Sequence, residues 1–532
     1  MKSNRRSSQT LEQGAMLLVI SGIFVKIIGA FFKIPLSADY CLGDIGFGYF
    51  SSVYDIFIPI YTLSSSGFPS AVSKIISEYL IENNQTYALK VFSFFKKIML
   101  IIGIVGTALL ILLAKPFVSL TDETGKTLFI FLAMAPAVLF CFLSSVYRGY
   151  MEGSRNMFPT AVSNIIDALS KVILGFTSAF IAVKFSGNIV LGAVCAMAGI
   201  TLGTVISFVF LSLYYKKNYR LYEKTSDDSL LFKKLLIISF PIVLSSLGVS
   251  LVTFIDSVTV RPLLSAVFNK NTDLLNNIIN AVNDGHLDTS SVPTFLYGIR
   301  SKAYTIFHLI PVLTGFIAVS ILPNISADFK SGNKISLNQN INSALKITSF
   351  ISLPIAFGLI FIGKQIINLL YGGDVLFIGG NILSIFGLSA IFAGFVMPLT
   401  AILQGINKQK TALISFIIGL SVKIIGNIIF VSIPKFNIVG SAISTVLCFL
   451  TVFIIHFVSI LKTKGLKINF KTVFIKPFIS AFLCGITAYL VCIFSENTLI
   501  YILSILLGGL IYLIFIAFFR VFTLKEIKEI LK

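Results

Sequence analysis

The sequence predicts an all-α integral membrane protein: about fourteen transmembrane helices, in two parallel six-helix repeats plus a C-terminal helix pair. Three observations carry this reading. Of 532 residues, 56% are apolar and only 12% charged, with a mean hydropathy of +0.95; soluble domains carry about a quarter charged residues. Apolar runs long enough to cross about 30 Å of hydrocarbon recur along the whole chain. Segments of the first half also return, in order, in the second half at a nearly constant offset of 252 residues. The composition excludes an all-soluble protein, a disordered chain, collagen and a disulfide-rich secreted module.

The elements follow in order. Span 1 (14–36) is preceded by Lys2, Arg5 and Arg6, as a signal peptide would be. It is too long for one, holds Lys26 and Lys33 and is followed by no convincing cleavage site, so it reads as a retained helix. Span 2 (47–73) runs long and carries Pro59 and Pro69, so a broken or kinked helix is expected. Spans 3 to 6 cover 97–114, 127–147, 157–183 and 188–214. Spans 7 to 12 cover 235–260, 294–325, 347–363, 375–403, 411–433 and 437–461; the long eighth again carries prolines, Pro311 and Pro323. Spans 13 and 14 (477–494 and 498–519) lie beyond the repeat. The expected organisation is a cytoplasmic N-terminus (1–13), an N-terminal six-helix bundle (14–214), a cytoplasmic linker (215–234), a C-terminal six-helix bundle (235–461), the extra pair (477–519) and a cytoplasmic tail (520–532).

The net charge of +20 sorts by location. With a cytoplasmic N-terminus, the inside segments hold 29 Lys and Arg and the outside loops 7. The other six, Lys26, Lys33, Lys171, Arg300, Lys302 and Lys423, fall within spans. This asymmetry supports both the span count and an orientation with both termini cytoplasmic, because a missed span would invert every later loop. It removes the case for nucleic-acid binding that a soluble protein of this charge would raise. The six cysteines lie almost all in apolar runs without close pairs, which argues against a disulfide framework or a zinc site.

The repeat is carried by Ile58-Pro59 and Thr62 against Ile310-Pro311 and Thr314. Gly153, Ser163, Ile165-Ile166 and Lys171 match Gly405, Ser415, Ile417-Ile418 and Lys423, and Asn188-Ile189-Val190 matches Asn437-Ile438-Val439 after a small gap. A six-span unit gives both halves the same orientation, the arrangement in which alternating access at a central site is expected of a transporter.

Ionisable groups within spans are costly unless paired or hydrated, so each is a candidate for function. Lys26 and Lys33 lie two turns apart on one stripe of span 1, with Gly22, Gly29 and Ala30 close to that stripe. Small residues beside two cations suit a cavity wall facing a bulky anion, although Lys33 also has the option of snorkelling to the surface. Asp55 lies at a similar depth and is a candidate ion-pair partner of Lys33. Asp167 and Lys171, spaced i,i+4, are expected to neutralise each other. Lys423, whose repeat position has Gly419 in place of that acid, is a secondary cavity cation. Arg300 and Lys302 open span 8 and Arg261 lies just past Asp256; these cations are either cavity groups or interfacial anchors, and Asp55 and Asp256 are candidates for ion coupling or ion pairing.

No catalytic motif emerges: there is no HExxH, no metal-ligand spacing of Cys and His, and no Gly-x-Ser-x-Gly elbow. Gly358 to Lys364 fits part of a P-loop, but Gln365 stands where Ser or Thr is needed, and the match reads as chance. Asp284, His286 and Asp288 sit in the longest outer loop and read as a solvated polar segment rather than a metal site. No cofactor is expected.

Several stretches resemble the stage V sporulation protein B family. They are Lys26-Ile-Ile-Gly29-Ala-Phe-Phe-Lys33-Ile-Pro35-Leu36 with Gly43-Asp-Ile-Gly46, and Pro59-Ile-Tyr-Thr-Leu-Ser-Ser-Ser-Gly67-Phe-Pro69-Ser-Ala-Val-Ser-Lys74. Tyr147-Arg148-Gly149-Tyr150-Met151-Glu152-Gly153 with Pro159-Thr160-Ala161, and Leu322-Pro323-Asn324-Ile325-Ser326, belong to the same set. These are polysaccharide-biosynthesis proteins of the multidrug/oligosaccharidyl-lipid/polysaccharide (MOP) flippase superfamily, which also contains the MurJ lipid II flippases. The resemblance implies fourteen helices in two bundles with an extra pair, and translocation of an undecaprenyl-diphosphate-linked sugar across a bacterial plasma membrane. It implies a transporter rather than an enzyme, with the lipid-linked glycan and membrane lipids as partners and a monomer as the working unit. In MurJ-type flippases cavity arginines are thought to engage the diphosphate. Here Lys26 takes the matching place and Lys33 lies close to the second, whereas the stretch around Tyr61-Thr62 has no cation. Lysine lacks the bidentate fork of arginine. The extra pair carries no charge but Glu496 in its turn, which would suit a polyprenyl tail. A cation-coupled multidrug antiporter of the same superfamily and a membrane glycosyltransferase or ligase are the alternatives.

Overall fold

The computed structural model describes residues 11–82, 84–121, 125–218, 247–282, 287–372, 376–463, 465–494 and 497–522. Every regular element among them is a helix. The elements are α1 (Leu11–Leu36), α2 (43–81), α3 (Gln85–Thr121), α4 (Leu128–Gly153), α5 (Phe158–Ser186), α6 (Ile189–Asn218), α7 (Ser250–Lys270) and α8 (Thr272–Ala281). They continue with α9 (Thr289–Ser331), α10 (Lys334–Tyr371), α11 (Leu376–Gly405), α12 (Gln409–Val431), α13 (Val439–Leu461), α14 (Lys471–Ile493) and α15 (Thr498–Phe518). Twelve helices among the described residues are long and apolar enough to cross a membrane. α1 and α2 stand where the first two spans are expected, and the order of the fourteen apolar runs is reproduced. Most of the expected linker and the start of span 7, 219–246, lie outside the described residues.

Helix ends depart from the hydropathy reading. α3 covers 37 residues and α10 38, and α7 continues past its expected end at 260 to Lys270. An apolar window closes at the first charge, but a helix does not. Lys and Arg lay their methylene stems along the helix surface while the backbone ladder continues.

The expected breaks are present. In α2 a regular helix ends at Thr62, one π turn follows (Leu63–Gly67), and the helix resumes at Phe68 with Pro69 in its first turn. Pro69 donates no backbone hydrogen bond and its ring crowds the turn before it, Leu63–Gly67, and a π turn absorbs such a mismatch. α9 is interrupted at His308, three residues before Pro311. Repeat partners α5 and α12 each carry a π turn, at Lys171–Phe176 and Asn427–Val431.

The chain divides into two compact units, one of residues 1–262 with 293–298 and the other of 263–292 with 299–532. In the first, α4 packs on α2, α3 and α6, and α5 packs on α1 and α6. Small residues bring these helices together. A Cβ on Gly149 of α4 would stand 2.6 Å from the Val72 Cβ, and one on Gly199 of α6 would meet the backbone of Gly175. In the second unit α11 packs on α9, α10 and α13, and α13 on α12.

The C-terminal pair docks on α10, chiefly through α14. Ser349 Oγ donates to Val473 O (2.5 Å) and Tyr512 OH to Phe350 O (3.0 Å). Asn338 and Asn342, one turn apart on α10, hold the preceding connection. Asn338 Nδ2 donates to Gly465 O (2.8 Å) and its Oδ1 accepts from Lys467 N (2.6 Å). Asn342 repeats this with Lys467 O (2.8 Å) and Asn469 N (2.8 Å). Replacing both by Ala is expected to cost about 1–2 kcal/mol, as several side-chain to backbone bonds at an exposed rim would. The same change is expected to speed protease cleavage between 462 and 470. Unchanged cleavage would show that other contacts hold this connection.

Candidate functional site

Buried charge among the described residues is unbalanced. Six cations are buried, Arg148, Arg261, Arg300, Lys302, Lys346 and Lys423, against three carboxylates, Asp55, Asp167 and Asp256. Arg148, Arg261 and Lys346 fall in connecting segments on the hydropathy reading. The structure corrects this by placing them inside α4, α7 and α10.

The first cluster lies within the N-terminal unit. Asp167 and Lys171 form the expected i,i+4 ion pair at 2.8 Å. Tyr61 donates its hydroxyl to the same carboxylate oxygen (2.8 Å), and the Lys171 ammonium lies 4.4 Å from the Tyr61 ring centre. Arg148 donates from Nε to Ser163 Oγ (3.1 Å) and from Nη2 to Ser207 Oγ (3.2 Å). Ser207 donates onward to Ser163 O and Ser163 to Thr160 O. Asp167, Arg148, Tyr61, Ser64 and Thr204 line a small cavity with room for about one water. Sequence reasoning placed Arg148 in a family stretch but gave it no role; its i,i+4 spacing from Glu152 was the available signal.

The second cluster lies in the same unit, toward the α1–α2 connection. The Lys33 ammonium sits 4.6 Å from the Tyr54 ring centre, while Asp55 accepts from Tyr297 OH at 2.8 Å. The suggested Lys33–Asp55 pair is therefore replaced by two separate contacts, because neighbouring positions on α2 point about 100° apart. Arg261 donates to Thr294 Oγ1 (2.8 Å) and to Ser52 Oγ (3.4 Å). Beside these, α2 and residues 293–298 of α9 meet backbone to backbone. A Cβ on Gly48 would fall on the Thr294 carbonyl oxygen, and one on Gly298 on that of Asp44. Asp256 is fully buried on α7. Lys26 stands on α1 two turns before Lys33, and its side chain lies outside the described residues.

In the second unit Arg300 is fully buried, its guanidinium 4.8 Å from the Tyr304 ring centre and 5.8 Å from that of Phe386. Lys302, two residues on and so on the opposite side of α9, lies 5.1 Å from the Tyr371 ring centre. These burials replace the interfacial-anchor option for Arg300, Lys302 and Arg261, since an anchor keeps its charged head in water. Lys423 is different again. Its ammonium donates to Ser441 O (2.8 Å), Ser444 Oγ (2.9 Å) and Thr445 Oγ1 (2.7 Å), and Ser444 in turn donates to Asn427. An ammonium has three donors. All are engaged by α13, so Lys423 ties α12 to α13 and is withdrawn as a cavity cation. Gly358 to Lys364 lies inside α10, not in a phosphate-binding loop. Asp284 and His286 lie outside the described residues, and Asp288 is exposed.

Residues 11–329 match the family model described as polysaccharide biosynthesis protein, which covers more than half the chain. The chain belongs to the polysaccharide biosynthesis protein family. Residues 298–429 match the MatE family as well, and both place this member in the MOP superfamily. Among its relatives, Lipid II flippase MurJ of Bacillus subtilis (strain 168) is 26% identical over 86% of this chain and 84% of that protein. Stage V sporulation protein B of the same organism is 23% identical over 98% of each chain. The fold is that of a solved structure of Lipid II flippase MurJ in an inward closed conformation, with a TM-score of 0.71, 21% identity, and coverage of 95% of this chain and 99% of that one. This family member is accordingly a multi-pass plasma membrane protein.

Proposed function

We propose that the chain is a flippase that moves an undecaprenyl-diphosphate-linked sugar, lipid II or a related cell-wall or polysaccharide precursor, across the bacterial plasma membrane by alternating access. The observation that carries this reading is the excess of buried cations over buried carboxylates in membrane helices. Each such charge is costly unless it is paired or serves a charged cargo, and the cargo this excess favours is an anion. A diphosphate carries that charge, and the relatives named lipid II flippase support the assignment. Lys26 and Lys33 are the proposed headgroup contacts on α1, with Arg300 and Lys302 on α9 as further cations. Asp55 and Asp256 are proposed as structural partners of the surrounding polar groups. Both termini are proposed to be cytoplasmic, from the distribution of Lys and Arg. The antiporter alternative needs carboxylates to bind cationic drugs, and these are outnumbered two to one.

The test is complementation of a strain depleted of its lipid II flippase, paired with a lipid II translocation assay. Restored growth with lipid II reaching the outer face is expected. Failure to complement, together with no translocation of any undecaprenyl-diphosphate-linked sugar in vesicles, would reject the reading.

A further inference from the structure

Residues 375–495 contain nine lysines and not one Asp, Glu or Arg. Seven of the nine flank the places where α12 begins, α13 ends and α14 begins: Lys408, Lys410, Lys462, Lys464, Lys467, Lys471 and Lys476. Successive helices alternate in direction, so these three ends share one side of the membrane. A groove of about 360 Å³ runs between α12 and α13 at this side. Its floor is apolar, with Ile454 and Val458 exposed along α13, and its rim carries Lys408 and Lys462. The volume falls in the range of ordinary ligand sites.

The two rim lysines differ in a useful way. Lys408 is held in place, because its Nζ donates to Ser459 O (2.9 Å) and Thr463 Oγ1 (2.8 Å). Two of its three donors are engaged, and the third remains for a ligand. Lys462 is exposed just past the end of α13, the helix end to which Lys408 is bonded. The groove thus pairs a positioned ammonium and an exposed one above an apolar wall, with no carboxylate anywhere on the three helices that would compete for them.

We propose that this groove is a binding site for an anionic glycerophospholipid. The phosphate lies between Lys408 and Lys462, and one acyl chain runs along Ile454 and Val458. Charge complementarity selects this occupant: a zwitterionic lipid brings its own cation, which two lysines repel. Basic pockets between membrane helices bind acidic headgroups on this principle. The site is separate from the cations assigned to cargo and does not depend on what the chain transports.

The test uses the full chain in detergent and measures binding by native mass spectrometry. The probes are dioleoyl-phosphatidylglycerol, dioleoyl-phosphatidylcholine, glycerol phosphate and undecaprenyl phosphate. Phosphatidylglycerol is expected to bind at least about tenfold more tightly than phosphatidylcholine, with glycerol phosphate failing to displace it. Lys408→Gln with Lys462→Gln is expected to erase the preference. Lys462→Gln alone, at an exposed position, gives a partial loss without disturbing the fold. Lys471→Gln, on the same basic side but outside the groove, is expected to change nothing. Equal binding of the two phospholipids, a preference that survives the double change, or displacement by undecaprenyl phosphate at lower concentration would each overturn the proposal.

Discussion

A chain carrying Lys26→Ala and Lys33→Ala is expected to lose translocation about a hundredfold or more while unfolding at the same temperature as its parent. The size follows from the chemistry of the contact. A hydrogen bond to a charged group contributes about 1.5–3 kcal/mol, so two lysines on one diphosphate account for roughly 3–6 kcal/mol. At about 1.4 kcal/mol per factor of ten, that is roughly two to four orders of magnitude. Stability should hardly move. Lys33 is half-buried and its interaction with the Tyr54 ring contributes about 0.5–1 kcal/mol. Position 26 is inside a helix, where Ala is the best helix former. The measurement is initial translocation rate beside a thermal unfolding curve in detergent. Lys33→Arg should keep most of the activity, since it preserves the charge and adds donors. Full translocation by the double-alanine chain would remove both lysines from the proposed site.

The second large effect is expected on stability. Gly48→Val and Gly298→Val, made separately, should each cost about 3 kcal/mol or more. Overfilling a packed contact commonly costs about 1–3 kcal/mol. Here the obstruction is a backbone carbonyl in both directions, Thr294 against position 48 and Asp44 against position 298, so no side chain can rotate away. Pushing α2 from this part of α9 would also stretch Arg261–Thr294 and Asp55–Tyr297, which bridge the same elements. Each such bond contributes about 1 kcal/mol or more. Unfolding temperature and yield of folded protein are the measurements. An unchanged Gly48→Val chain would show that the two helices do not touch there.

Much of the helix order was legible because the bilayer imposes one length on every apolar run. The breaks in α2 and α9 were legible because proline acts locally. Asp167–Lys171 was legible for the same reason, its partners being four residues apart. What could not be read was any partner brought by folding. Tyr61 reaches Asp167 across 106 residues and Tyr297 reaches Asp55 across 242, and no spacing rule connects them. Lys423 looked like an unmatched charge because its partners are neutral oxygens of α13, which a search for opposite charges passes over. Arg148, Arg261 and Lys346 were read as loop residues because a hydropathy window treats a cation as an end. Contacts made by folding bury them instead, hydrogen bonds to hydroxyls for Arg148 and Arg261 and the Phe522 ring for Lys346.

The stretch without carboxylates has a consequence for how the protein meets its surroundings. Acidification below about pH 4 neutralises Asp and Glu, and residues 375–495 have none to neutralise. Its only histidine, His456, is buried against Ser415. Its attraction for an anionic bilayer is therefore set from outside, by ionic strength, whose screening length falls from about 10 Å at 0.1 M to about 3 Å at 1 M. Salt, rather than acidity, is the variable to which this stretch of the molecule answers.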